Sequence, residues 1–417
     1  MLVLAVAVIA AAAAGLTVAL LQRDPRPPAL RSGALSAEAF ADSIGVVTHF
    51  GYTDTAYGRA ADVIERLSEL GVRNIREAAP SKTGPLADAL RAAHTAGIQA
   101  TVASGDPESD PARWLADAAA VMGDGIAAVE APNELDDRDD PSWPSKLGSY
   151  MPALAAAARS EAPGAAVIGP SFIDPSSRAQ LPTDLPGLFN AHPYSGAELP
   201  EPTLDLAVDE WHARAPGRGA VFTETGYHNA LEASTGQPPA SERAAAVYLP
   251  RLLATAFGAG VARTFLYELV DEKPDPGLAD PEQHFGLLRN DLSPKPAFTA
   301  VKTLIAAVRA SPGPRSGPSP GARLHAQGDE RVEQLMLERA DGSLAILLWR
   351  PVSVWDRDER QAIRPGRVSV ELSFPGAGAR DLAVWRPSVS TEPVSRRARA
   401  QRLELNLAGD LVLVSLR

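Results

Sequence analysis

The chain has 417 residues, 45% of them hydrophobic, with 40 Lys+Arg against 51 Asp+Glu and a formal charge of −11. That composition supplies a large core, excludes a mainly disordered chain, and lacks the concentrated positive footprint that nucleic acid requires. The absence of cysteine removes thiol nucleophiles, disulfides, Cys-ligated zinc and iron–sulfur clusters, leaving carboxylates, His, Ser, Tyr and Lys to carry any chemistry.

Residues 1–21, MLVLAVAVIAAAAAGLTVALL, are uncharged and apolar throughout, about the length that crosses a hydrocarbon core. Arg23, Arg26 and Arg31 flank the far side, where the positive-inside rule would hold the chain in the cytoplasm. The small Ala-rich residues instead fit an export signal, and a secreted or membrane-anchored protein is expected, with residues 1–22 as signal peptide or anchor. Residues 23–40 read as a Pro-rich linker.

From about residue 41 to 310 short β-rich runs alternate with Ala-rich amphipathic stretches, the pattern of a parallel strand with its crossover helix. Eight strands are predicted, beginning at Ser43, Val72, Ile98, Ile126, Ala165, Leu188, Ala220 and Arg263. Helical patterns such as YGRAADVIERLSELG and SERAAAVYLPRLLATAFGAG lie between them and close on glycine. A last helix spans roughly 296–309. Eight units over about 270 residues predict an α/β fold, a (β/α)₈ TIM barrel.

Residues 311–321, SPGPRSGPSPG, break both periodicities and mark a domain boundary. Beyond them, VEQLMLER, SLAILLWR, RVSVELSF, RDLAVWRP, QRLELNLA and DLVLVSLR alternate without helices, which predicts a small antiparallel β-sandwich over 322–417. Its Trp349, Trp355 and Trp385 are read as packing residues, with carbohydrate contact as the alternative.

In a barrel the strand C-termini carry the chemistry. Here the apolar runs end in Thr48-His49, Arg76-Glu77, Asn133-Glu134, His192-Pro193-Tyr194, Glu224, and Tyr267-Glu268 followed by Asp271-Glu272. Two carboxylates facing each other across such a mouth suit glycoside cleavage, where one protonates a poor leaving group and the other opposes an oxocarbenium-like transition state. Glu134 and Glu224 close the fourth and seventh strands.

The arrangement resembles the retaining glycoside hydrolases of clan A, which place Asn-Glu after strand four and a second Glu after strand seven. EAPNELD and FTETGYH supply the two motifs. The resemblance implies that Glu134 is the acid/base, Glu224 the nucleophile, and Asn133 the partner of the sugar 2-hydroxyl. It implies that Arg76 orients and ionises the nucleophile, and that His192 and Tyr194 of HPY contact the sugar and Glu224. The THFGY start, HPY and YEL resemble families 39 and 5. Where many clan members end strand eight in a subsite-floor Trp, this sequence has Phe265 and Tyr267.

His49, Tyr267, Glu268 and His228 complete the candidate substrate-binding set, while His284 is expected to support the final loop. Arg76 has a second reading as an ion-pair partner of Glu77. The run Asp136-Asp137-Arg138-Asp139-Asp140 reads as a solvated loop, with the cleft rim or a calcium site as alternatives. A metal-dependent hydrolase is disfavoured because H-x-H and H-E-x-x-H pairs are absent, and a serine hydrolase because no G-x-S-x-G occurs. The expectation is therefore a cofactor-free, monomeric, exported glycosidase acting on an oligo- or polysaccharide. A polysaccharide-binding barrel that does not cut is the rival.

Overall fold

A computed structural model describes residues 33–103, 105–310, 323–326, 331–374 and 380–416. The apolar segment 1–21 and the Pro/Gly linker 311–321 lie outside the described residues. No helix among the described residues is long and apolar enough to cross a membrane.

The eight predicted strands form one parallel sheet: β1 Ile44–Val47, β2 Asn74–Ala78, β3 Gln99–Ala103, β4 Ile126–Glu130, β5 Ala166–Ile168, β6 Phe189–Ala191, β7 Ala220–Thr225 and β8 Arg263–Leu266. Their order is β5-β4-β3-β2-β1-β8-β7-β6. A parallel bridge from Ile168 to Leu188 joins the two ends and nearly closes the barrel. Seven α-helices cover it: α1 Ala60–Leu70, α2 Pro85–Thr95, α3 Pro111–Met122, α4 Trp143–Glu161, α5 Pro200–Arg214, α6 Glu242–Ala259 and α7 Pro296–Arg309. Their ends follow capping chemistry: Ser241 accepts from Ala244 N at the start of α6, and Gly260 ends it at φ 97°.

The crossover between β5 and β6 departs from the repeat, because it holds a 3-10 turn over Pro175–Gln180 in place of an α-helix. Pro175, Pro182 and Pro186 each remove a backbone donor, so an α-helical hydrogen-bond ladder cannot run through this segment. Arg178 instead ties the turn down, donating to Glu210 and to the carbonyl of Asn190.

The C-terminal strands are β9 Arg323–Ala326, β10 Glu333–Glu338, β11 Leu344–Trp349, β12 Trp355–Asp356, β13 Gln361–Ala362, β14 Val368–Ser373, β15 Arg380–Trp385, β16 Ser395–Ala400, β17 Arg402–Leu407 and β18 Val412–Leu416. One sheet runs β10-β11-β18-β15-β16, a second β9-β14-β17, and β12-β13 form a hairpin. Leu35–Ser36, which the sequence assigned to the linker, pairs in parallel with β10, Leu35 opposite Leu337, and begins the first sheet. The short helix Ala37–Asp42 follows it.

Strand β11 is buried along its whole length, as its unbroken LAILLW predicts for a strand covered on both faces. Leu344, Ile346 and Leu348 face Val370, Leu372, Leu403 and Leu405 of the second sheet. Ala345, Leu347 and Trp349 join the barrel's own core. The tryptophans belong to this seam: Trp349 Nε1 donates to Glu201 of α5, and Trp355 Nε1 to the Pro239 carbonyl. Arg251 of α6, fully buried, donates to both oxygens of Glu201 and reaches the carbonyls of Val352 and Gly409. The packing reading of Trp349 and Trp355 therefore holds, and the accessory domain is welded to the barrel.

Candidate active site

Arg76, the third residue of β2, points into the barrel among carboxylates. Its Nε and Nη2 donate to Glu130 at 2.7 and 3.0 Å, its Nη1 to Glu224 Oε1 at 2.5 Å, and Nη2 also to Asn133 Oδ1 at 2.7 Å. The pairing with Glu77 does not form. Glu77 leaves β2 on the opposite face, where Thr48 Oγ1, Phe50 N and Ala78 N donate to it.

Glu224 ends up between two donors, since Tyr194 gives its hydroxyl to Oε2 at 2.8 Å. Burial alone would raise its pKa, but His192, Arg76 and the Tyr194 hydroxyl together hold it below the usual glutamate range. The carboxylate is thus kept ionised. Gly226, two residues on, lets the chain pass close to the backbone that follows β8, because a Cβ there would stand 2.3 Å from the carbonyl oxygen of Tyr267.

Glu134 leaves β4 through a left-handed backbone at φ 44°, ψ 53°, a conformation that is costly for a residue with a Cβ and characteristic of functional sites. Its Oε1 lies 2.5 Å from His192 Nδ1, and Asn133 Nδ2 donates to Oε2 at 3.2 Å. His192 Nδ1 also stands 3.7 Å from Glu224 Oε2. One oxygen of each glutamate and a His192 nitrogen lie within 4.8 Å of one another. Burial disfavours the charged imidazole, yet Glu224 and Glu134 outweigh it and raise the His192 pKa. Its Nε2 meets Thr223 Oγ1 at 2.8 Å, and that hydroxyl lies 2.9 Å from Glu130 Oε1.

Beneath these groups is a buried layer that sequence reasoning missed. Glu130 is fully buried and is held by Arg76, Thr223 and Asn190 Nδ2. The available signal was an acid at the end of the apolar strand IAAVE, which must find a cation when buried.

The β1 and β8 loops form the opposite wall. His49 stacks on Tyr52, ring centroids 4.8 Å apart, and meets Tyr57 and Tyr267 edge-on. Desolvation, opposed by Glu224 and aided by Arg76, lowers its pKa to about 4, so the ring is neutral. Glu268 is fully buried, accepts from the Tyr57 hydroxyl at 2.8 Å, and is pushed well above the carboxylate range by desolvation. Tyr267 donates to Glu282 Oε2 at 3.0 Å, and its ring contacts Tyr194 and Phe285. It therefore occupies the wall where a floor aromatic was expected, whereas Phe265 is buried in the barrel interior.

His228 serves the loop. Its Nε2 meets the Gln237 carbonyl at 2.7 Å and its Nδ1 accepts from Ala230 N, so both ring nitrogens are engaged by backbone and neither is free for a substrate. Loop architecture, set by ETGYHN, explains this better than the strand pattern did. His284 likewise supports its loop through Asp275. Asp136 caps the amides of Ile173 and Asp174, and Asp140 those of Ser142, so the acidic run is tied into loop structure.

No family model and no curated protein matches the sequence. Solved structures match along most of the chain. A family 39 glycoside hydrolase from the gut symbiont Bacteroides cellulosilyticus WH2 is 16% identical, over 92% of this chain and 82% of that one, with a TM-score of 0.63. A monomeric beta-xylosidase from Caulobacter crescentus CB15 is 16% identical over 93% and 97%, at 0.57. A glucosidase from Croceicoccus marinus is 11% identical over 85% and 91%, at 0.56. The chain shares with these glycoside hydrolases a (β/α)₈ barrel followed by C-terminal β-sheets.

Proposed function

We propose that this protein is a retaining O-glycosidase that acts on an oligo- or polysaccharide. The observation that carries the reading is the juxtaposition of Glu134 and Glu224, whose nearest oxygens lie within 4.8 Å. Retaining enzymes need carboxyl groups about 5–5.5 Å apart, whereas inverting ones separate them by about 6.5–9.5 Å to admit a water.

Glu224, ionised by Arg76 and Tyr194, attacks the anomeric carbon. The glycosidic C–O bond breaks as Glu134 delivers a proton to the leaving oxygen. Glu134 then takes a proton from water, which displaces Glu224 and releases the sugar with its anomeric configuration retained. Asn133, held by Arg76, is placed to bind the hydroxyl next to the reacting carbon. Tyr267 offers a ring face to the sugar, and His49 and Glu268 stand behind it. The fold shared with xylosidase and glucosidase structures supports this reading, and the apolar segment at residues 1–21 supports action outside the cytoplasm.

Aryl xylosides and glucosides, together with a panel of polysaccharides, should release reducing ends with the wild type and not with Glu134→Gln/Glu224→Gln. Proton NMR of the first-formed anomer should show retention. An inverted anomer would overturn the mechanism, and a wild type that releases no reducing ends across the panel yet binds sugar as well as the double variant does would establish the non-cutting barrel.

A further inference from the structure

We propose that the β16 edge of the C-terminal sandwich, through Arg396, Arg397 and Arg399, docks the protein on an anionic phospholipid bilayer. Residues 393–402, PVSRRARAQR, hold four arginines and no acid, in a chain whose formal charge is −11. Strand β16 is the last of its sheet, and Arg396, Arg397 and Arg399 are all exposed on it. Among the described residues no acid pairs with these three side chains: the Arg397 guanidinium reaches only the Arg396 carbonyl, at 3.4 Å. Arg402, at the start of β17, stands 3.6 Å from Glu371. A charge on an edge strand blunts edge-to-edge pairing, but a run of unpaired arginines gathers a positive field that one guarding residue would not.

Arg397 lies opposite Leu382 and Arg396 opposite Ala383, so the two leave β16 on opposite faces. Arg399 sits where the register shifts, at φ 54°, with its amide donating to Asp381 Oδ1 at 3.1 Å, and such a bulge re-aims the side chain. The charge is therefore spread along the edge, which suits a plane of headgroups and not one small anion. Apolar side chains border it. Val389 and Val394 are 64% and 44% exposed, and with Arg367 and Arg386 they line a groove of about 420 Å³. The acids of that groove are Glu404 and Asp410, the latter bonded to Arg386. Exposed aliphatic side chains among arginines match the boundary between headgroups and acyl chains.

Two observations select a lipid surface over an acidic glycan. Residues 267–284, which follow β8 at the barrel mouth, hold six acids and one lysine, a field that repels a polyanionic chain. The apolar segment 1–21 is joined through residues 22–34 to Leu35, which begins the sheet that β16 ends. An extended chain of that length reaches up to roughly 40 Å, and the six strands of the sheet span roughly 24 Å. A bilayer that holds residues 1–21 therefore lies within reach of the arginine edge.

Docking stands whether or not the hydrolytic reading does, and its test does not use activity. The chain contains no cysteine, so Val394→Cys gives a single thiol for an environment-sensitive nitrobenzoxadiazole label. Full-length protein is mixed with phosphatidylcholine vesicles, or with vesicles that also hold about 30% phosphatidylglycerol. The label should brighten and shift to the blue on the anionic vesicles alone, and about 0.5 M salt should reverse the change. A label on Ala112→Cys, at the exposed start of α3, should not respond. Adding Arg396→Gln/Arg397→Gln/Arg399→Gln should lower the docked-to-free ratio roughly a hundredfold, at about fivefold for each arginine, with thermal unfolding unchanged. Arg396→Lys/Arg397→Lys/Arg399→Lys should keep docking, because a diffuse field reads charge and not the guanidinium fork. Arg23, Arg26 and Arg31 are present in every variant, so their own attraction to the vesicle cancels. No response at Val394→Cys on anionic vesicles would overturn the proposal. So would an equal response on pure phosphatidylcholine or at Ala112→Cys, or one evoked by soluble polygalacturonate in place of vesicles.

Discussion

Arg76 Nη1 lies 2.5 Å from Glu224 Oε1, and the same guanidinium holds Glu130 through two further bonds. One cation thus serves two buried carboxylates, and the share that reaches Glu224 helps depress its pKa. Arg76→Lys keeps the charge but cannot span both partners, because an ammonium lacks the planar fork. Glu224 should then titrate higher, and the acid limb of the kcat/KM profile should move to higher pH. An unmoved limb would show that Arg76 does not control the ionisation of Glu224.

The two glutamates should separate by leaving group. If Glu134 is the proton donor proposed above, Glu134→Gln should cost substrates with poor alkoxide leaving groups about 10²–10⁴-fold in kcat/KM. Aryl glycosides whose phenol leaves unaided should be cleaved at nearly the normal first-step rate and then stall at deglycosylation. Glu224→Gln should be inactive on both. Burst kinetics with dinitrophenyl glycosides distinguishes these outcomes, and equal losses on both substrate types would exclude Glu134 as the acid.

The barrel and its mouth were legible because they rest on local patterns. Six of the eight apolar runs lead into polar residues at the mouth, and sequence order alone puts β4 and β7 across from each other. Glu134, Glu224, Arg76, His192 and Tyr194 therefore assemble as read. What the pattern could not carry was pairing. Whether Arg76 turns to Glu77 or to Glu130 depends on the strand face, and adjacent residues face opposite ways. His228 failed for a related reason: past the strand end, the turn of the loop decides direction, and both nitrogens were captured by backbone. Leu35–Ser36 is too short to show a period and takes its strand form from β10.

Arg251 tests how firmly the two domains are joined. It is fully buried and pairs with Glu201, which also accepts from Trp349. Arg251→Met leaves Glu201 charged and unpaired, and breaking such a pair costs about 3–5 kcal/mol. The double change Arg251→Met/Glu201→Gln should recover much of that loss. Thermal unfolding followed by circular dichroism measures both, and a single variant as stable as the wild type would show the seam to be held by packing alone.

Glu77 sets a pH dependence of stability. Desolvation raises its pKa to about 7, against the opposing donors Phe50 N, Ala78 N and Thr48 Oγ1. In the unfolded chain it titrates near the ordinary 4.5, so between those values the folded state binds a proton that the unfolded state has released. Stability from this group is therefore complete below about 4.5 and is lost as the pH rises through about 7. The difference amounts to about 3 kcal/mol at roughly 1.4 kcal/mol for each pKa unit. His49, whose pKa falls to about 4, acts in the opposite sense between about pH 4 and 6.5, so the wild-type curve alone does not isolate Glu77. Glu77→Gln does: it keeps an acceptor for Phe50 N and removes the titration. Between pH 5 and 7.5 the unfolding free energy of the variant should gain about 2–3 kcal/mol relative to the wild type. Parallel curves across that range would mean that Glu77 is ionised in the folded protein.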